Sequence, residues 1–191
     1  MASGFSRKIG SVRIIAGRFK GRRLQAPSWE GLRPTSDKLR ETLFNILAPR
    51  VDGARVLDGY AGTGAVGIEA LSRGAAHVEF VEQNRRATAL ILQNLAACGV
   101  EQGYTIHCGE IVSALRRLPA DARFDLILLD PPYDAENVAD ALGAAASRLA
   151  EGGVLVLERA TRREPELPEA LTRVRDVTSG DSTLTFMKAQ R

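Results

Sequence analysis

The sequence predicts a single α/β domain built on a mostly parallel sheet, with a small basic extension ahead of it. From residue 55 onward, short apolar runs alternate with amphipathic stretches, the pattern of parallel strands connected by helices. A glycine-rich turn follows the first of these strands. The chain of 191 residues is 45% hydrophobic, which is enough for one core of this kind. We therefore divide it into an extension at residues 1–50 and a main domain at residues 51–191.

The predicted extension differs from the main domain in charge. Residues 1–50 hold eleven Lys and Arg and three acids, whereas residues 51–191 hold fifteen Lys and Arg and twenty acids. A basic segment on a mildly acidic body favours a polyanionic partner. The alternative is a solvated basic tail with no specific partner.

Within the extension, residues 12–24 predict a small hairpin, because apolar residues flank Gly17 and Gly21. Cations are interleaved with the apolar residues, so the hairpin would offer guanidinium and ammonium groups to phosphates. The candidate phosphate contacts in the hairpin are Arg13, Arg18, Lys20, Arg22 and Arg23.

A helix is predicted from about Ser36 to Pro49, where the proline is expected to end it. Its apolar face consists of residues at helical spacing, namely Leu39, Leu43, Ile46 and Leu47. Arg33, in the preceding loop, and Arg40, in the helix, are candidates for the mouth of a site or for phosphate contact. A hinge contact is the alternative for both.

The glycine-rich turn contains Gly62, Gly64 and Gly67 at G-x-G-x-x-G spacing, which allows backbone to approach a ligand closely. Glu82 ends the next apolar run, twenty residues after Gly62, where nucleotide-binding folds place an acid that binds ribose hydroxyls. Asp58 precedes the turn. A carboxylate there would repel the pyrophosphate of NAD but complement the ammonium of S-adenosylmethionine (AdoMet), so we predict AdoMet. The alternative is a buried acid that caps the turn without a ligand.

The remaining elements continue the alternation. Strands are predicted at 55–58, 77–82, 104–108, 124–129 and 154–158, and helices at about 64–73, 85–98, 111–117 and 136–149. Two further strands, at 174–178 and 183–187, flank a turn and form a C-terminal hairpin. A mostly parallel seven-stranded sheet that ends in an antiparallel hairpin is the class I AdoMet-dependent methyltransferase arrangement, a Rossmann-like fold.

The tetrapeptide Asp130-Pro131-Pro132-Tyr133 is the most specific feature of the sequence. Asp130 ends a buried strand, at the edge where open parallel sheets bind ligands. The two prolines make a rigid turn whose carbonyls face outward, and Tyr133 supplies a flat ring. The Asp130 carboxylate and the Pro131 carbonyl can accept both N–H bonds of an exocyclic amine, while Tyr133 stacks on the extruded base. The alternative is an ordinary turn after a buried strand.

The chain resembles the RsmD family, bacterial 16S ribosomal RNA guanine-N2 methyltransferases, from about residue 12 to its end. The segments that carry the resemblance are Arg13–Leu24, Leu32–Thr35, Arg40–Asn45, Leu57–Asp58, Ala61–Gly64, Gly67–Gly74 and Asp130–Tyr133. The resemblance implies an enzyme that methylates one guanine of 16S rRNA in the assembling small subunit. The chain departs from the family pattern at two positions. A bulkier residue is expected at Gly59, and a residue with an amide side chain is expected at Glu110.

Resemblance to AdoMet sites also implies that the Glu110 side chain or the Ile111 amide contacts adenine, whereas a helix N-cap is the alternative for Glu110. Tyr60 either packs beside the cofactor or fills the core. The predicted cofactor-binding residues are Asp58, Tyr60, Ala61, Gly62, Thr63, Gly64, Gly67, Glu82, Gln83, Glu110, Ile111 and Asp130. The catalytic set is Asp130 to Tyr133, and the RNA contacts are the hairpin cations with Arg33 and Arg40.

Other readings remain open beside this one. The tetrapeptide Asp130–Tyr133 would serve adenine-N6 methylation of DNA or RNA equally well. A non-catalytic nucleic-acid-binding protein is a second alternative, and an NAD-dependent oxidoreductase is a third. Two cysteines without C-x-x-C spacing, and no charged-then-apolar leader, favour a cytoplasmic protein without a zinc site. We expect no metal, no membrane contact and a monomer.

Overall fold

A computed structural model of the chain describes residues 12–27 and 36–190. In these ranges the helices are α1 (Asp37–Val51), α2 (Ala65–Ser72), α3 (Arg85–Ala97), α4 (Ile111–Arg117) and α5 (Val138–Ala146). The strands are β1 (Val12–Arg13), β2 (Arg23–Leu24), β3 (Arg55–Gly59), β4 (His77–Glu82), β5 (Tyr104–Cys108), β6 (Phe124–Leu129), β7 (Leu149–Ala160), β8 (Leu171–Ser179) and β9 (Ser182–Ala189). Strands β1 and β2 form the predicted N-terminal hairpin.

The main sheet has the order β5-β4-β3-β6-β7-β9-β8. Strands β3 to β7 pair in parallel, whereas β9 runs antiparallel to both β7 and β8. This arrangement confirms the predicted fold class, a Rossmann-like methyltransferase fold. The chain moves outward from β3 to β5 and then returns to β6, so the strand order reverses between β3 and β6. Open α/β sheets bind ligands at such a switch point, outside the carboxyl ends of the strands.

Helices cover both faces of the sheet, and each face has its own core. The first face carries the hairpin, α1, α2 and α3, and its cluster includes Leu128, Val156 and Leu184. The second face carries α4 and α5, and its cluster includes Leu129 and Leu157. In the described part of the chain no helix is both long and apolar enough to cross a membrane. The division proposed at residue 50 falls inside α1, whose apolar face shares the first core with the sheet.

Several predicted boundaries differ from those of the structure, and β8 for example begins at Leu171 instead of residue 174. Helix α1 continues through Pro49 to Val51. Pro49 cannot donate a backbone hydrogen bond, but burial of Val51 in the first core offsets that loss. Helix α5 is shorter than the predicted 136–149. Strand β7 begins at Leu149 and includes the glycine pair at 152–153, because an irregularity in the β6–β7 pairing accommodates it.

The hairpin is docked onto α2 by a buried carboxylate. Glu69 is fully buried and accepts hydrogen bonds from the N–H groups of Ile15 and Ala16, at 2.7 and 3.0 Å. Arg73, directly after α2, donates to the same carboxylate at 2.7 Å. Gly17 passes so close to the end of α2 that a Cβ there would lie 1.9 Å from the Ser72 carbonyl oxygen. The hairpin is therefore fixed in position against the main sheet.

Helix α2 packs against β3 and β4 through Gly67. A Cβ at this position would lie 2.2 Å from the ring of Phe80 and 2.9 Å from Oδ2 of Asp58. Gly143, in α5, is the opposite case, because a Cβ there would meet nothing within 4 Å. The two helical glycines therefore differ in whether the fold requires them.

We predict that Gly67→Ala lowers the free energy of unfolding by about 1–3 kcal/mol, because the added methyl group overpacks the helix–sheet contact. Gly143→Ala is the matched control and should raise stability by about 0.5–1 kcal/mol, since alanine favours the helix without a clash. Urea denaturation of both variants measures the difference. Equal changes in the two variants would contradict the packing role of Gly67.

Candidate active site

The turn between β3 and α2 is held at both ends by carboxylates from neighbouring strands. Asp58, in β3, accepts a hydrogen bond from the Gly67 N–H through Oδ2, at 2.8 Å. Glu82, at the end of β4, accepts from the N–H groups of Gly62 and Asn84, at 2.9 and 2.8 Å. The predicted cofactor residues of the turn itself are all buried, namely Ala61, Gly62, Thr63 and Gly64. The buried acids thus give the turn one defined backbone path.

Asp58 lies where a bound cation would be favourable. Its side chain is buried, and burial raises the pKa of its carboxyl well above the usual value. The hydrogen bond from Gly67 opposes this shift, whereas the Asp130 and Glu82 carboxylates raise the pKa further. Among the described residues, no group of three or more His, Cys, Asp or Glu is arranged to hold a metal ion. A ligand ammonium near Asp58 would lower its pKa and offset the repulsion between the acids.

A cavity of about 260 Å³ beside the turn brings together four predicted cofactor residues: Tyr60, Gln83, Glu110 and Ile111. Tyr60 has a φ of 62°, a left-handed conformation that is uncommon outside glycine. Burial, together with the charge of Glu110, raises the pKa of Tyr60 to about 12. Its hydroxyl is therefore protonated at neutral pH and available as a hydrogen-bond donor.

Glu110 combines its place in this cavity with a structural role. Its side chain caps α4 by accepting hydrogen bonds from the N–H groups of Val112 and Ser113, both at 2.9 Å. Desolvation raises the pKa of Glu110, but the Ser113 and Val112 hydrogen bonds and the charge of Arg116 outweigh it and lower the pKa below its usual value. The capping alternative is therefore realised, and adenine contact by this residue stays a prediction.

Gly59, the other departure from the family pattern, is explained by its neighbours. A Cβ at Gly59 would lie 2.5 Å from Cδ2 of Leu129 and 3.1 Å from Cδ1 of Ile111. These two side chains occupy the space that a bulkier residue would need. The sequence alone did not predict how the chain packs around Gly59. In the structure, the neighbouring side chains fill this space, so no side chain is needed at this position.

The segment from Asp130 to Tyr133 begins at the switch point of the sheet. The Asp130 N–H donates to the Gly59 carbonyl at 3.3 Å, so the β3–β6 pairing continues to Asp130 and brings it beside the glycine turn. Tyr133 is half-buried, and its hydroxyl lies 2.6 Å from Oγ of Ser182. Its carbonyl accepts a hydrogen bond from the Arg163 guanidinium at 2.5 Å. The Ser182 contact therefore fixes the ring at its hydroxyl, and the Arg163 contact fixes the backbone of Tyr133.

A second cavity, of about 310 Å³, lies against Pro131 and Pro132. Sequence reasoning missed Ser182 and Arg163, which reach the tetrapeptide from β9 and from the β7–β8 connection, since no local pattern indicates either contact. It also missed Asn84, whose side chain caps α3. An asparagine directly before a helical pattern is a recognisable capping signal.

The predicted RNA contacts divide into three groups. The hairpin cations are exposed: Arg13, Arg18, Lys20, Arg22 and Arg23. Arg33 lies outside the described residues. Arg40 is a correction, because it is fully buried and its guanidinium donates to the Arg13 carbonyl at 2.5 Å and to Asp37 at 2.9 Å. Arg40 therefore supports the hairpin from within instead of meeting RNA at the surface.

Comparison with known proteins identifies the family. A family model described as "Conserved hypothetical protein 95" matches residues 12–188. "Ribosomal RNA small subunit methyltransferase D" of Haemophilus influenzae is 35% identical over 175 residues, 90% of each chain. Its namesake in Escherichia coli strain K12 is 38% identical over 124 residues, 65% of this chain and 61% of that protein.

The solved structure "Putative methyltransferase yhhF from Escherichia coli" has a TM-score of 0.81 and 31% identity. The alignment covers 95% of this chain and 100% of that one. The sequence comparison and the structure comparison therefore both find methyltransferases as relatives of this chain. The chain belongs to the RsmD family, which the matching family model describes as conserved hypothetical protein 95.

Proposed function

We propose that this protein transfers a methyl group from AdoMet to the exocyclic N2 amine of one guanine in 16S rRNA of the assembling small ribosomal subunit. The observation that carries the proposal is the position of Asp130–Tyr133 at the switch point, directly beside the glycine turn. Its relatives in the family are named ribosomal RNA small subunit methyltransferase D. Membership of this family supports rRNA methylation as the reaction.

The residues around the turn fit AdoMet. The Glu82 carboxylate is buried at the end of β4, and each of its oxygens, although it already accepts one backbone N–H, keeps a second lone pair for a ribose hydroxyl. The buried Asp58 favours the methionine ammonium. The cavity at Tyr60 and Ile111 offers flat and apolar walls for adenine.

Bound AdoMet supplies an electrophilic methyl group on its sulfonium. The Asp130 carboxylate and the Pro131 carbonyl accept the two N–H bonds of the guanine amine and direct its lone pair toward that methyl group. Methyl transfer would form an N–C bond at the guanine amine, with the thioether of AdoMet as the leaving group. Positive charge then develops on the nitrogen, where Asp130 stabilises it until the proton leaves. Tyr133 stacks on the base throughout.

The exposed hairpin supports RNA as the partner. Its cations lie on an element that Glu69 fixes to α2, the helix that begins at the cofactor turn. We place the protein in the cytoplasm as a monomer that acts on small-subunit assembly particles. The adenine-N6 alternative shares the tetrapeptide and differs in the base that is methylated.

Glu82→Ala should weaken AdoMet binding by about 1–3 kcal/mol, because charge-assisted hydrogen bonds to the ribose are lost. Glu79→Ala removes another buried acid of the same strand and is the matched control, with AdoMet affinity near the wild-type value. Calorimetry with AdoMet and with NADH measures both. Unchanged affinity in Glu82→Ala, or tight NADH binding without AdoMet binding, contradicts the proposed cofactor site.

Replacing four exposed hairpin cations with glutamine should weaken RNA binding and leave AdoMet binding intact; the positions are Arg18, Lys20, Arg22 and Arg23. Each phosphate contact that is lost leaves its counterions bound to the RNA. The slope of log K against log salt should therefore become less steep, by about 0.7–0.9 per contact. Substitution preserves Val12, Ile14 and Leu24 in the core, which deletion of the hairpin would remove.

The control for this experiment changes four exposed cations elsewhere to glutamine: Arg50, Arg123, Arg175 and Lys188. It alters the net charge equally and should keep most of the salt slope. If both variants bind RNA alike, overall charge and not the hairpin carries the interaction.

Asp130→Ala should lower kcat by roughly a hundredfold or more with little change in AdoMet affinity, because Asp130 acts on the amine. Tyr133→Phe should stay near the wild-type rate, with about 0.5–1.5 kcal/mol of stability lost with the Ser182 contact. Tyr133→Ala should lose about 1–3 kcal/mol of base stacking.

Single-turnover methyl transfer to small-subunit particles measures these rates, with thermal melts to establish folding. Folded Tyr133→Phe that is as slow as Tyr133→Ala would disprove the stacking role. Full activity in Asp130→Ala would mean that the tetrapeptide is only a structural turn. The proposed reaction would then lose its basis.

A further inference from the structure

Glu158 is a buried acid near the proposed base site to which neither cofactor binding nor amine positioning assigns a role. It lies near the carboxyl end of β7 and is 8% exposed. Its carboxylate therefore belongs to the edge of the sheet at which open α/β sheets bind ligands.

The pairing of β6 with β7 brings Glu158 next to Asp130. The two strands run in parallel with Leu129 opposite Leu157, so the next pair in register is Asp130 and Glu158. Strand β7 continues to Ala160, and the backbone N–H of Asp130 still follows the β3–β6 pairing. Asp130, directly after β6, and Glu158, in β7, therefore lie side by side at the same level of the sheet.

Both carboxylates also project from the same face. Leu128 and Val156 belong to the core of the first face, whereas Leu129 and Leu157 belong to the core of the second. Since side chains alternate along a strand, the residues that follow Leu129 and Leu157 return to the first face. Asp130 and Glu158 thus form neighbouring acceptors on that face.

The end of β7 is rigid and borders the tetrapeptide. Glu158 and Tyr133 both line the cavity of about 310 Å³ that lies against the two prolines. Arg159, the next residue, extends from the opposite face and donates to Oγ1 of Thr185 at 2.9 Å and to Oδ2 of Asp176 at 3.0 Å. These contacts hold the strand end, so Glu158 is a positioned acceptor beside the stacking ring.

We propose that Glu158 accepts the N1–H hydrogen bond of the target guanine and thereby selects guanine over adenine; this inference rests on the proposed function. Guanine presents the N2 amine and the N1–H as adjacent donors, which match the adjacent carboxylates of Asp130 and Glu158. Adenine has a lone pair at N1, which a carboxylate would repel. A site built to pair a donor strongly rejects an analogue that lacks it.

The test uses small-subunit particles whose RNA carries guanine or 2-aminopurine at the methylated position. 2-Aminopurine keeps the N2 amine and lacks the N1–H. Wild-type protein should methylate guanine with a kcat/KM roughly a hundredfold or more above that for 2-aminopurine. Glu158→Gln, whose amide can donate to N1, should shrink this ratio by roughly tenfold or more. Glu151→Gln, an exposed position on the same strand, should keep the wild-type ratio.

Three results would overturn the assignment. Equal methylation of both bases by the wild type means that N1–H is not read, and this result needs no variant. An unchanged ratio in folded Glu158→Gln removes Glu158 from base selection while the proposed function stands. Failure of the wild type to methylate the guanine particles overturns the proposed function, and the role of Glu158 with it.

Discussion

Three buried carboxylates, those of Asp58, Glu69 and Glu82, accept backbone N–H groups at the glycine turn, at α2 and at the hairpin, and the rest of the site depends on this arrangement. Asp58 accepts a backbone hydrogen bond from the first turn of α2, and Glu82 accepts one from the glycine turn. Glu69 accepts one from the N-terminal hairpin. Buried acids are costly unless they are hydrogen-bonded, so each one specifies its partner strictly. Together they fix the turn, the helix and the hairpin relative to one sheet.

This constraint links the two surfaces that the proposed reaction needs. Helix α2 starts at the cofactor turn and ends where Glu69 and Ser72 hold the hairpin. Its eight residues span about 12 Å, so the exposed cations lie at a fixed and short distance from the proposed cofactor site. RNA that binds the hairpin would therefore be positioned for a base to reach the tetrapeptide. Buried Arg40 belongs to this support and not to the RNA surface.

The sequence placed β4, β5, β6 and α4 at their observed bounds, because short apolar runs and amphipathic stretches alternate clearly in this part of the chain. It misplaced the start of β7, since a glycine pair resembles a turn when the pairing partner is unknown. Contacts between distant segments have no local signature. The pairing of Arg40 with the Arg13 carbonyl, and of Tyr133 with Ser182, became visible only once the fold joined their elements. The glycine turn and the tetrapeptide were recognisable because both chemistry and backbone constrain adjacent residues there.

The identity of the methylated base tests the central claim most directly. Small-subunit particles from cells that lack this protein can be incubated with the purified protein and methyl-labelled AdoMet, and the labelled nucleoside identified by mass spectrometry after nuclease digestion. The account predicts N2-methylguanosine at a single position of 16S rRNA. Label in N6-methyladenosine, or no transfer to RNA by folded protein, would contradict it.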